Sequence, residues 1–185
     1  QFLELLKKHR VTVLNQTPAA FYNLIKAEGS TDAQPHLDEH LRYVIFGGDK
    51  LEPTYLRAWI KRYSVEKIQL INMYGITETT VHVTYCPLRK EDILGAAGKN
   101  PIGVPLPETH VYVCNEQMAL QPIGISGELY VGGSGVSRGY LNRPELTAER
   151  FITNPYCEGE RLYRTGDLVY LNEQEEIIFV GRKDN

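Results

Sequence analysis

Cysteine is scarce in this chain and falls in odd number: Cys86, Cys114 and Cys157 stand far apart in 185 residues. That pattern argues against a disulfide framework and for a reducing, cytoplasmic setting. No apolar run approaches the roughly 20 residues that a membrane-spanning helix needs, and the N-terminus carries no signal-peptide pattern. Charge of one sign is also lacking. A formal net charge of −3 leaves no electrostatic footprint for nucleic acid or an anionic membrane. Histidines form no metal constellation: His36 and His40 have i, i+4 spacing but no third ligand, and His9 and His110 stand alone. No Gly-x-Ser-x-Gly or Ser-His-Asp arrangement points to hydrolysis.

What is present is an ordinary globular composition, 42% hydrophobic and 23% charged, enough for one domain or two small ones. The first half alternates helix and strand. Gln1 to Arg10 reads as helix, Val11 to Leu14 as a buried strand, and Thr17-Pro18 as a cap opening a helix to about Ala27. Glu28 to His40 reads as loop, Arg42 to Phe46 as strand, Pro53 to Tyr63 as helix and Lys67 to Ile71 as strand. This alternation predicts a parallel α/β sheet over residues 1–105. Residues 106–185 read as a β-rich, barrel-like part or a distorted sheet. Its strands are Thr109 to Val113, Gly127 to Val131, Leu162-Tyr163, Leu168 to Leu171 and Glu176 to Val180, with a short helix from Pro144 to Phe151. The chain opens directly in an amphipathic pattern and stops at Gly181 to Asn185 after an apolar run. It therefore reads as an internal piece of something longer.

The most informative stretch is Asn72-Met73-Tyr74-Gly75-Ile76-Thr77-Glu78-Thr79-Thr80, at the expected carboxyl end of a strand. Open α/β sheets place ligands there. Tyr74 offers an aromatic face, Gly75 a turn, and the threonines hydroxyls for phosphate oxygens. Glu78 offers a carboxylate suited to Mg²⁺, which takes few protein ligands. A strand-to-helix turn capped by Thr77 or Thr79 is the plainer reading. The glycine-rich run Gly127 to Leu141 fails the dinucleotide template, because Arg138 stands where a third glycine belongs. Turn glycines between strands explain it better. Tyr163-Arg164-Thr165-Gly166-Asp167-Leu168 places one carboxylate after a turn glycine, where it usually serves only as a turn former, although such a carboxylate is also a device that holds ribose hydroxyls.

In order and spacing, these motifs and Gly181-Arg182-Lys183-Asp184 resemble the amino-acid adenylation domains of nonribosomal peptide synthetases, in the adenylate-forming superfamily. Ile76 replaces the proline commonest there. The resemblance implies that Tyr74 stacks on adenine opposite Gly48-Asp49-Lys50, with Asn72 beside the base and Gly75 in the turn. It implies further that Thr77 contacts the α-phosphate, Glu78 binds Mg²⁺, Asp167 and Arg182 hold the ribose, and Asp184 is the hinge to a C-terminal lid. Thr77 and Glu78 would be the catalytic pair. The implied reaction uses ATP to convert an amino acid to its adenylate. The acyl group then passes to the phosphopantetheine thiol of a peptidyl carrier protein domain, with a condensation domain in the same assembly line.

The side-chain pocket of that family falls here on Asn15, Ile45, Gly47, Met73, Val81 and His82. Apolar walls with two hydrogen-bonding groups suit a short side chain bearing both methyl and hydroxyl. The set resembles the threonine-selecting pocket. The family's phosphate loop and catalytic lysine lie on segments outside these residues, so the 185-residue chain alone is expected to form no adenylate. The rival readings are a fragment of an acyl- or aryl-CoA ligase and a non-catalytic nucleotide-binding fragment.

Overall fold

The computed structural model describes residues 1–29, 37–95 and 99–184. They divide into two compact units, each described by itself. The first comprises Gln1–Met73 and Cys86–Asn100; the second comprises Tyr74–Tyr85 and the chain from Pro101 onward.

The first unit is the expected parallel α/β sheet. Strands β1 (Val13–Gln16), β2 (Tyr43–Phe46) and β3 (Gln69–Asn72) run parallel, with Leu14, Val44 and Leu70 in register. The first strand starts two residues later than expected. Arg10 turns left-handed at φ 51, and the Val11 amide closes helix α1 (Phe2–Lys8) by bonding Leu6 O at 3.1 Å, so it cannot join a ladder. Thr17 caps helix α2 (Pro18–Gly29) as expected, its hydroxyl accepting from the Ala20 amide at 3.4 Å. That helix runs into the stretch read as loop. The rest of that stretch through His36 lies outside the described residues, and Leu37–Glu39 form a 3₁₀ turn. Pro53–Leu56 is likewise 3₁₀, and helix α3 covers Arg57–Arg62.

These helices bury one side of the strands. Phe21, Leu24, Leu56, Trp59 and Tyr63 pack with Leu14, Val44, Phe46 and Leu70. Phe21 lies edge-on to both Phe46 and Trp59, at 5.0 and 4.8 Å between ring centres. Alternation puts Asn15, Ile45 and Ile71 on the opposite face, again in register. No strand or helix is expected over residues 83–100 from the sequence. Strand β4 (Thr84–Pro87) lies there, its Cys86–Pro87 end antiparallel to β3, as does helix α4 (Lys90–Leu94).

In the second unit, the Thr84–Tyr85 end of β4 pairs with β5 (Asn100–Pro105). The strands then follow the order β5, β10 (Ile177–Arg182), β9 (Arg161–Leu171), β7 (Gly127–Gly133) and β6 (Thr109–Cys114). Among the described residues no pairing closes this series, so it is an open distorted sheet rather than a barrel. Helix α5 (Pro144–Arg150) leads into the short strand β8 (Phe151–Thr153), which also pairs with β9. Leu162-Tyr163 and Leu168 to Leu171, read as separate strands, are one. Glu128 pairs with Leu168 and Tyr130 with Arg164, so β9 carries two extra residues in a bulge at Thr165–Asp167, with Gly166 at φ +76. A bulge bends a strand and re-aims its side chains without ending it.

Trp59 is the sole tryptophan and is buried, so its emission reports on the first unit. Phe21→Ala should lower stability by about 3–5 kcal/mol, the usual cost of emptying an aromatic core site. The check is a shift of the urea midpoint followed by Trp59 fluorescence.

Candidate functional site

The bulge in β9 presents the Asp167 carboxylate, which is only 3% exposed. A charge so buried must be paired. The Tyr74 hydroxyl donates to Oδ2, and Arg182 Nη1 donates to Oδ1 at 3.2 Å and to the Thr165 carbonyl at 2.8 Å. Thr165 anchors the bulge: its hydroxyl donates to Leu129 O at 2.7 Å and accepts from the Asp167 amide at 3.0 Å. Arg182 also grips Asp184 through Nε at 3.0 Å and Nη2 at 3.2 Å. Burial pushes the Asp167 carboxyl above its ordinary value; the Tyr74 hydroxyl and Arg182 pull the other way. Burial and the neighbouring Asp167 push the Tyr74 phenol up, so it stays a donor.

Residues 74–85 fold back sharply. Thr77–Thr79 form a 3₁₀ turn whose N-cap is Ile76, with no side-chain capping bond. Thr80 and Val81 both turn left-handed, at φ 59 and 70. Gly75 permits this, since a Cβ there would stand 2.0 Å from the Val81 carbonyl. Glu78 sits on this turn. Its Oε1 accepts from the Tyr140 hydroxyl at 2.6 Å and the Tyr163 hydroxyl at 3.1 Å. Burial alone would raise this carboxyl, but those hydrogen bonds and Arg150 outweigh it and hold it below the usual range. His82 is half-buried, and its Nδ1 is enclosed without a hydrogen-bond partner.

Beside this lies a polar pocket of about 170 Å³ lined by Glu128, Arg150, Arg164, Arg182, Lys183 and Asp184. Arg164 holds the buried Glu128 through two contacts, at 2.9 and 3.3 Å. The second unit thus brings together Tyr74, Asp167, Arg182 and Asp184, and places Thr77, Glu78, Val81 and His82 on one turn.

The other expected site residues belong to the first unit. Asn15 and Ile45 stand in register on the face of β1 and β2 opposite the helix-packed residues, and Gly47 and Met73 follow directly after β2 and β3. Gly48 is left-handed at φ +82, and Gly48, Asp49 and Lys50 are exposed. Asn72 is buried and donates to the Asn100 amide oxygen at 3.1 Å. The sequence assigned no role to Asn100, Tyr140 or Tyr163. Both tyrosines lie within the recognisable motifs, but nothing local in the sequence links them to Glu78. Cys86, Cys114 and Cys157 form no disulfide. Among the described residues no three His, Cys, Asp or Glu converge on a metal position, and no helix is long and apolar enough to cross a membrane. His36 lies outside the described residues, and His40 accepts from Arg10 at 3.1 Å.

Comparison with known proteins decides the family. The model of the AMP-binding enzymes matches residues 1–141. The chain belongs to the AMP-binding enzyme family. Its relatives of known type include nonribosomal peptide synthetases and a synthetase adenylation domain. It is 54% identical over 99% of its length to a plipastatin synthase of Bacillus subtilis, and 49% identical over all of it to a dimodular nonribosomal peptide synthase of the same organism. It spans only 7% and 8% of those two proteins. An artificially fused adenylation–PCP di-domain from Klebsiella oxytoca has a similar fold, with TM-score 0.83 and 28% identity. That match covers 98% of this chain and 32% of the other. The N-terminal subdomain of NpsA from the same organism, in complex with 3-hydroxybenzoyl-AMSN, gives a TM-score of 0.80 at 29% identity, over 97% of this chain and 42% of its own.

Because Asp167 titrates above its unfolded value, its contribution to stability is favourable at low pH and is lost as pH rises through the folded value. Tyr74→Phe removes a donor to the carboxylate. The Asp167 titration should therefore move to still higher pH, as followed by carboxyl-carbon NMR.

Proposed function

We propose that the parent domain of this AMP-binding chain activates an amino acid with ATP and loads it on a carrier protein. The observation that carries this reading is the joined Tyr74–Asp167–Arg182 cluster: an aromatic ring, a buried carboxylate and a guanidinium on one bulged scaffold. Tyr74 offers its ring to adenine, and Asp167, steadied by Arg182, accepts the two ribose hydroxyls. Gly48, Asp49, Lys50, Asn72 and Gly75 complete the adenosine site. Thr77 receives the α-phosphate. The residues fit Mg²⁺, since Glu78 is ionised, half-exposed and carried on the same turn as Thr77. The ion, held by Glu78 and phosphate oxygens, would neutralise charge on the triphosphate.

The amino-acid carboxylate oxygen attacks the α-phosphorus and pyrophosphate leaves, giving the aminoacyl-adenylate. A phosphopantetheine thiol then attacks the acyl carbon, forming the thioester and releasing AMP. Positioning and charge neutralisation supply most of the rate in such in-line transfer. Asp184, exposed and bonded to Arg182, is the proposed hinge. A peptidyl carrier domain and a condensation domain are the proposed partners, in the cytoplasm.

The substrate proposed is threonine. Asn15, Ile45, Gly47, Met73, Val81 and His82 supply apolar walls and two polar groups. The enclosed, unpartnered His82 Nδ1 supports a substrate hydroxyl as its partner. In the complete parent domain, amino-acid-dependent ATP–pyrophosphate exchange should be strongest with threonine. Serine should trail by about 10–200-fold for its missing methyl, and valine by about 10⁴-fold for its missing hydroxyl. Exchange with another amino acid would discard the pocket assignment, and exchange only with fatty or aryl acids would indicate an acyl-CoA ligase.

His82→Ala should raise valine relative to threonine in the same assay. Unchanged selectivity would remove His82 from the pocket.

A further inference from the structure

The glycine-rich segment after β7 is the one motif that the proposed chemistry leaves without a task. The structure places it against the Glu78 turn. The Ser137 amide donates to the Glu78 carbonyl at 2.8 Å, and the Thr80 hydroxyl donates to the Gly135 carbonyl at 2.8 Å. Arg161 fixes the segment from the other side, donating to the Arg138 and Ser137 carbonyls at 3.0 Å each. The segment ends at Tyr140, whose amide donates to Thr147 Oγ1 at 3.0 Å. Gly139 lies at φ +141, and a Cβ there would stand 2.4 Å from Thr147 Cγ2. Only glycine lets the chain approach α5 closely enough for Thr147 to hold the tyrosine backbone.

Tyr140 then meets Tyr163 of β9 at Glu78. Phe151 is wedged edge-on to both rings, at 5.5 Å from Tyr140 and 4.9 Å from Tyr163, and is itself buried. The two hydroxyls lie 3.0 Å apart and both reach the same oxygen, Oε1. The ionised carboxylate has no proton to give, so when both phenols donate to it the 3.0 Å approach of their hydroxyls carries no proton of its own. Both phenols converge on one oxygen, and no side chain among the described residues holds the other, Oε2.

We infer that Tyr140 and Tyr163 are positioning residues for Glu78. They fix the carboxylate through Oε1 and leave Oε2 for a divalent cation, and the glycine-rich segment serves to bring Tyr140 to it. This rests on the reading of Glu78 as a Mg²⁺ ligand. Groups that orient a metal-binding carboxylate typically change metal affinity by about 10–100-fold when removed. Each Tyr→Phe replacement keeps the ring against Phe151 and deletes only the hydroxyl.

The test uses the full-length parent synthetase with Tyr140→Phe, Tyr163→Phe, both together, or Glu78→Gln. Mn²⁺ binding is measured by electron paramagnetic resonance in the presence of a non-hydrolysable ATP analogue, and affinity for that analogue without metal by calorimetry. The double variant should bind Mn²⁺ about 10–100-fold more weakly, with metal-free nucleotide affinity unchanged. Retained nucleotide affinity also establishes that the variant is folded. Unchanged Mn²⁺ affinity in the double variant, beside a weakened Glu78→Gln, overturns the positioning role and spares Glu78 as ligand. Unchanged Mn²⁺ affinity in Glu78→Gln overturns both. Parallel loss of metal-free nucleotide affinity in the double variant would mark a merely structural role and overturn the inference.

Discussion

A carboxylate taken out of water must find donors, and the second unit is arranged around that requirement. Asp167, Glu128 and, to a lesser degree, Glu78 are all withdrawn from solvent. Each recruits partners from distant parts of the chain: Tyr74 and Arg182 for Asp167, Arg164 and Lys183 for Glu128, Tyr140 and Tyr163 for Glu78. Leaving any of these charges unpaired would cost more than an ordinary hydrogen bond contributes. The pairs therefore link the bulge of β9, the last strand and the turn after Tyr74 into one polar framework. Hydrophobic packing of Val83, Ile102, Leu129, Val169 and Ile177 fills the space beneath it.

The first unit follows a different logic. Its strands are short, parallel and apolar on the helix side, and its buried carboxylate, Glu28, lies on helix α2 rather than on a strand, met by the Tyr63 hydroxyl. Asn15 and Ile45 stand in register on neighbouring strands, so two residues far apart in sequence share one surface by the period of two alone. The proposed substrate positions there need no special backbone. Val81, on the turn, does.

Much of this was legible in the residues. Period and caps located α1, α2, β2, β3 and α5, and the motif at Tyr74 marked the strand end correctly. Elements carrying few of these signals were not seen. β5 contains two prolines and a glycine within Asn100–Pro105, residues that weaken a strand signal, and no element is expected there. β9 was divided at Gly166 because a glycine punctuates a strand and interrupts one in the same letters; only the register against β7 separates the two. Pro53 opened the expected helix, but its first turn wound as 3₁₀, with Glu52 accepting from Thr54. At the site, Asp167 and Glu78 were visible as lone carboxylates after glycines. Their pairings with Tyr74 and Tyr140 were not, since contacts across 93 and 62 residues leave no local trace.

Thr80 and Val81 hold left-handed backbone at consecutive positions, with a β-branched side chain at each. Such residues carry about 1–3 kcal/mol of conformational strain apiece. A glycine or asparagine at position 81 would sit there at ease. Exchange to glycine or asparagine at this proposed specificity position thus runs downhill for the fold. Over evolutionary time, substrate preference can drift here with stability as an ally, whereas at the neighbouring buried strands every change of side chain is resisted by the core.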